Sequence, residues 1–201
     1  MSVVLDLPDG YVDLPLGKIA AIQTFLEMRE RPAPRRDPPG ITARVRRVTA
    51  PGIDWYLALF HRVGDAYLWF ARLAMERDEL RKILADPKEE VYVVEQDGSE
   101  EGLLELDFRT PGECELTYFG LTAKLVGTGV GRFAMNRAID AAWSRPISRF
   151  WVHTCTLDHP SALDFYRRSG FAPYARKVEI ASDPRLVALV PRDAAPHVPM
   201  I

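Results

Sequence analysis

The chain is poor in cysteine, shows no basic excess and contains no long apolar run, and each shortage closes off a class of protein. Its two cysteines, Cys114 and Cys155, cannot make a disulfide framework, and no C-x-x-C pair or His/Cys cluster has zinc spacing, so no metal site is expected. Both fall in strand-like stretches, where buried free thiols are expected. His153 and Cys155 would share one strand face, but no Asp or Asn is placed to orient the histidine, which argues against a cysteine nucleophile. The 26 basic and 28 acidic side chains leave a formal charge of -2, whereas proteins that wrap nucleic acid carry a strong basic excess. No apolar run approaches the roughly 20 residues that cross a bilayer. The opening Met1-Ser2-Val3-Val4-Leu5-Asp6 lacks the basic and apolar regions of a secretory leader. A cytoplasmic protein with neither nucleic-acid nor membrane partners is the expectation. A length of 201 residues fits one domain with a single sizeable core.

What the chain does have is glycine at one place. In Leu125-Val126-Gly127-Thr128-Gly129-Val130-Gly131-Arg132, three alternating glycines open an amphipathic helix. Without Cβ atoms the backbone can approach a ligand closely. The unsatisfied N–H groups and the positive dipole end of the helix then suit a phosphate or pyrophosphate. Three glycines weaken a helix start, so a turn with no ligand is the poorer reading. A dinucleotide fold wants G-x-G-x-x-G and an acidic residue about 20 positions on. Here the pattern is G-x-G-x-G, and the next strand, around Phe150-Trp151-Val152-His153, ends without a carboxylate. A P-loop needs Gly-Lys-Ser/Thr, and no lysine follows these glycines.

Around this turn the chain reads as alternating elements. Lys18 to Met28 fits either period but leans to a strand, and Arg31 to Gly40 is a proline-rich linker whose charges stay solvated. Ile41 to Val48 alternates as a strand. Asp54 is placed to cap a helix that Gly64 ends, and a second helix spans Asp78 to Ala85. Tyr67, Trp69 and Phe70 serve either the core or an acceptor pocket. Glu90–Glu95, Leu103–Phe108 and Glu113–Leu121 form an antiparallel meander joined at Asp97-Gly98 and Thr110-Pro111-Gly112. The glycine-led helix buries Val130, Ala134, Ala138 and Ala142 and ends before Pro146. Arg149 to Thr156 is a strand, Pro160 starts a helix stopped by Gly170, and Phe171 to Ile180 closes the sheet. From Pro191 onward a loosely held tail is expected. The expected division is 1–40 as an N-terminal extension with a proline-rich linker, 41–181 as the main domain, and 182–201 as a C-terminal strand or tail.

This order resembles the GNAT superfamily of acyl-CoA-dependent N-acyltransferases over roughly Ile41 to Ile180. Two motifs carry the resemblance: Val126-Gly127-Thr128-Gly129-Val130-Gly131, and His159-Pro160-Ser161-Ala162-Leu163-Asp164-Phe165-Tyr166-Arg167-Arg168-Ser169-Gly170-Phe171, which is similar to N-x-x-A-x-x-x-Y-x-x-x-G-F. The chain departs from the family where Val126 replaces an Arg or Gln and His159 replaces the Asn. The resemblance implies an α/β fold, a mixed, mostly antiparallel sheet with helices on both faces. It implies acetyl-CoA lying between the strands that end at Leu121 and Thr156. Phe119, Gly120 and Leu121 would pair their backbone with the pantetheine arm. Gly127, Thr128, Gly129, Val130, Gly131 and Arg132 would cradle the pyrophosphate, and His159 would either reach a pantetheine carbonyl or cap its helix.

Transfer of an acetyl group to an amine needs a base for the ammonium, donors for the oxyanion and a proton for the leaving thiolate. By motif position Tyr166 is the candidate acid. Glu115 is the candidate base, placed by strand alternation on the face of Leu121, with Glu113 and His159 as alternatives. Thr154 stands where other members have a glutamate. The sequence thus points to a cytoplasmic N-acetyltransferase acting on a primary amine of a small molecule or peptide. The alternative is a non-catalytic acyl-CoA-binding sensor or assembly module, with a dinucleotide-binding oxidoreductase behind both. The segment before Gly40 either packs on a second copy in a homodimer or extends the sheet.

Overall fold

The computed structural model describes residues 9–201; Met1–Asp6, where no leader pattern was found, lies outside them. The elements are β1 (Lys18–Met28), β2 (Arg44–Val48), α1 (Ile53–Gly64), α2 (Arg77–Ala85), β3 (Glu89–Gln96), β4 (Ser99–Asp107), β5 (Glu113–Leu121), α3 (Val130–Ala142), β6 (Arg149–Cys155), α4 (Ala162–Arg168) and β7 (Ala172–Ser182). Among the described residues the seven strands form one open sheet, ordered β2-β3-β4-β5-β6-β1-β7. Every pairing is antiparallel except β5 with β6. The β3–β4 turn follows from Asp97 and Gly98, both at positive φ, which matches the twist of a hairpin.

Helices cover both faces. On one, Tyr56, Phe60 and Val63 of α1 and Leu80 and Leu84 of α2 pack on Val91, Val93 and Leu103. On the other, Met135, Ala138 and Ala142 of α3 and Tyr166 of α4 pack on Leu104, Leu106, Leu116 and Phe150. Leu103 and Leu104 serve opposite faces because strand side chains alternate, so the central β4 is apolar on both sides. The small alanines of α3 let that helix lie close to the sheet.

Several expectations are corrected. Gly52, not Asp54, occupies the N-cap of α1, and it makes no side-chain cap; Asp54 sits in the first turn and pairs with Arg77. Gly64 ends α1 without a left-handed turn: a Cβ there would lie 2.7 Å from Trp69, so the glycine makes room for that ring. The lean of Lys18 to Met28 to a strand holds: β1 hydrogen-bonds between β6 and β7 and extends the sheet. Residues 31–40 stay largely exposed, as expected, yet are strapped to α3. Arg31 pairs with Asp140, Asp37 with Arg137, and Asn136 donates to the Arg35 carbonyl. The end of the chain is held as well. Arg185 is buried against Asp183 and donates to the carbonyls of Ala194, Ala195 and Val198, while Val190 and Ala195 pack on Ile19 and Leu68.

Candidate active site

β5 and β6 pair only from Glu113 to Glu115 against Arg149 to Trp151. Beyond that they diverge, and β4 holds only one edge of Phe119, Gly120 and Leu121. The gap is a cavity of about 290 Å³ that runs from the glycine turn, past Tyr166, to β1 and β7.

At one end, Gly127 and Gly129 adopt positive φ and aim the chain into α3. A Cβ at Gly127 would meet nothing within 4 Å, so this side of the turn is open to a ligand. At Gly129 a Cβ would come 3.1 Å from Pro38, so the proline strap also requires this glycine. Thr128 turns its hydroxyl to the Leu125 carbonyl, which closes the loop. The N–H groups of Gly131 and Arg132, in the first turn of α3, have no intrahelical acceptors. Positive charge gathers nearby. Burial first, then Arg132 and Arg168, lowers the pKa of Arg35, whose Nη1 donates to the Arg168 carbonyl.

Gly120 owes its place to close approach, since a Cβ there would lie 2.5 Å from Val63 and 2.8 Å from Trp69. Tyr166 lines the cavity, wedged edge-on between Phe119 and Phe171. Burial, and then the Asp158 charge, push its hydroxyl far above the usual phenol range, so it stays protonated. His159 lines the cavity just ahead of α4, whose N-cap is Ser161; its Nδ1 accepts from the Ser161 amide, and its carbonyl accepts from Ala162.

The face expected for Glu115 is corrected. β5 carries a bulge at Thr117, where Glu105 pairs with Tyr118 but Leu106 pairs with Leu116. One extra residue reverses the alternation. Leu116, Phe119 and Leu121 therefore pack on the α3 side and Tyr118 on the α1 side, leaving Glu115 opposite Leu121. Glu115 reaches the cavity through His153, whose Nδ1 lies 3.6 Å from its Oε1. Glu113 is engaged by Arg149 at 3.1 Å. Cys155 lines the cavity as a thiol, its pKa pushed up to about 11 by burial and then by Asp158.

The structure also brings in residues that the sequence did not single out for acyl transfer. Gln23, Thr117, His153 and Asp158 line the cavity, and Gln23 Oε1, Thr117 Oγ1 and His153 Nδ1 are buried without hydrogen-bond partners. Asp158 is held by the Thr154 hydroxyl at 2.7 Å and the Cys155 amide at 2.8 Å. A polar residue within an inward strand pattern, such as Gln23 after Ile19 and Ala21, was the available signal.

The segment that carries Tyr67, Trp69 and Phe70 into the cavity is pinned by a buried network. Arg72 bonds Glu105 at 2.9 Å and Glu89 at 3.3 Å, and Tyr56 donates to Glu105. Burial, and then the neighbouring Glu105, raise the Glu89 carboxyl to about 9. Among the described residues no group of side chains is arranged to hold a metal ion, and no helix is long and apolar enough to cross a membrane.

This architecture is shared with known proteins. The model of the Acetyltransferase (GNAT) family matches residues 55–171, more than half of the chain. The chain belongs to that family. Among solved structures, a functionally unknown conserved protein from Staphylococcus epidermidis is 16% identical with a TM-score of 0.57, the match covering 83% of this chain and 63% of that one. A GCN5-related N-acetyltransferase from Kribbella flavida is 19% identical, with a TM-score of 0.55 and coverage of 86% and 63%. An aminoglycoside acetyltransferase from an uncultured soil metagenomic sample, in complex with sisomicin, is 15% identical with a TM-score of 0.52, covering 64% and 87%. The chain thus spans less than two thirds of the length of the first two. No curated protein matches.

Proposed function

We propose that this protein moves an acetyl group from acetyl-CoA to a primary amine by direct attack. The observation that carries this reading is the continuity of the cleft. An unpaired strand edge at Phe119–Leu121 meets the open Gly127 turn, and the protonated Tyr166 hydroxyl lies between that turn and a polar far end. The residues fit the cofactor. Backbone N–H groups at the head of α3 and the nearby Arg35, Arg132 and Arg168 suit phosphates. The free β5 edge suits the amide-bearing pantetheine arm, which would add to it as a strand does.

In this reading the Leu121 N–H polarises the thioester carbonyl, the amine attacks its carbon, and the C–S bond breaks as Tyr166 protonates the departing sulfur. The ammonium first loses its proton to His153, which Glu115 orients from behind. Glu115 thus acts as a positioning residue, a role its face on β5 allows.

Calorimetric titration with acetyl-CoA tests the reading, with Gly127→Glu as the control. Its side chain would enter the open space and set a negative charge where phosphate belongs. Micromolar binding that falls by about 100-fold or more in the variant is expected. Wild-type protein that binds no acyl-CoA would leave family membership without the donor. Binding without acceptor-dependent thiol release across an amine panel would favour the acyl-CoA-binding module instead.

A further inference from the structure

The far end of the cleft describes its acceptor. Gln23, on β1, is 8% exposed and lines the cavity; its Nε2 donates to Glu179 of β7, while its Oε1 is buried and has no partner. A buried carbonyl oxygen without a donor is costly, so a bound molecule is expected to bring one. Asp158 and Glu179 are both on the lining, which contains no lysine or arginine. Both line the same cavity as Cys155. The nearby Lys177 ammonium sits over the Phe25 ring, 4.6 Å from its centroid. Tyr67, Trp69 and Phe70 supply aromatic walls, surfaces that attract cations.

We propose that the cleft selects acceptors carrying a second ammonium besides the amine to be acylated, with Glu179 and the Gln23 carbonyl oxygen holding the second cation and Asp158 facing the first. The proposal rests on the acyl-transfer reading for the fate of the first amine. A monoamine leaves Gln23 Oε1 without a donor. An amino acid would set its carboxylate against two like charges with no cation on the lining to receive it. Diamines and polyamines satisfy both ends, and amino acids and acidic peptides are rejected.

The test is calorimetric titration of α,ω-diaminoalkanes of graded chain length and the matched monoamines. At least one diamine is expected to bind about tenfold or more tightly than its monoamine at low salt. The preference should fall to about threefold or less in Glu179→Gln, a near-isosteric change on an exposed edge strand that does not threaten folding. Equal binding of every pair, or a preference that survives Glu179→Gln, overturns the proposal. Acetyl-CoA titration of the same protein separates the two ideas. Diamine preference without acetyl-CoA binding keeps the dication site and removes acetyl transfer, and acetyl-CoA binding without diamine preference does the reverse.

Discussion

At the glycine-turn end of the cleft the groups proposed to bind are backbone amides from one short stretch, Gly127 to Arg132. At the far end they are side chains from β1, the Tyr67–Phe70 segment, β5, β6 and β7, which meet only when the sheet is complete. The first end needs permissive dihedral angles and little else. The second needs a bulge at Thr117, two glycines that make room for Trp69, and a buried ion network that pins the wall. A site built from one helix start tolerates change elsewhere, whereas a site assembled from many elements inherits every displacement among them.

The largest effect that tests this contrast is expected from Arg72→Ala. Removing the cation leaves Glu105 buried without its partner, which costs about 3–5 kcal/mol. Urea unfolding should show the loss, while acetyl-CoA affinity under folding conditions stays within about threefold, since a helix-start site does not depend on the wall. A loss of affinity as large as the loss of stability would break the contrast. Next come Tyr166→Phe and His153→Gln, each expected to lower kcat by about 100-fold. The KM for acetyl-CoA should hold in both, because neither residue belongs to the phosphate end. An unchanged kcat in either variant removes that residue from the chemistry.

A last test reads a slope rather than a loss of activity and concerns the pH dependence of the far end. Glu89 has its pKa raised to about 9 in the folded protein, from an ordinary value of 4.5. Between those values the folded state holds a proton that the unfolded state has released, so stability is full below the window and falls as pH rises through it. Glu89→Gln should remove this decline, and unfolding curves at pH values spanning the window should converge at the acid end. Parallel curves for the two proteins would show that Glu89 is ionised when folded.

The parts of the site that were legible in the sequence are those whose causes are local. The glycine turn, Tyr166 and its Gly-Phe stop, and the meander with Asp97-Gly98 each rest on neighbouring residues whose conformations follow from their own chemistry. Gln23, Thr117, His153 and Asp158 carried no comparable mark, because a polar side chain in a strand means nothing until its face is known. Glu115 shows the limit most clearly. Its face was read by counting, and one bulge without a signature in Glu115-Leu116-Thr117-Tyr118 reversed the count. The proline strap and the chain end misled for a related reason: prolines and charges look like linker, yet Asp37, Asp140 and Asp183 were waiting with matching geometry.

Local chemistry therefore determined from the sequence the fold class, the glycine turn that opens α3 and the helix that carries Tyr166, since a glycine's dihedral freedom and a helix's periodicity do not depend on distant residues. The tertiary structure decided which way Glu115 faces, what Gly64 and Gly120 make room for, and which polar atoms meet at the acceptor end. Those depend on register, side-chain volume and contacts between residues over a hundred positions apart, as between Gln23 and Glu179, and packing alone resolves them.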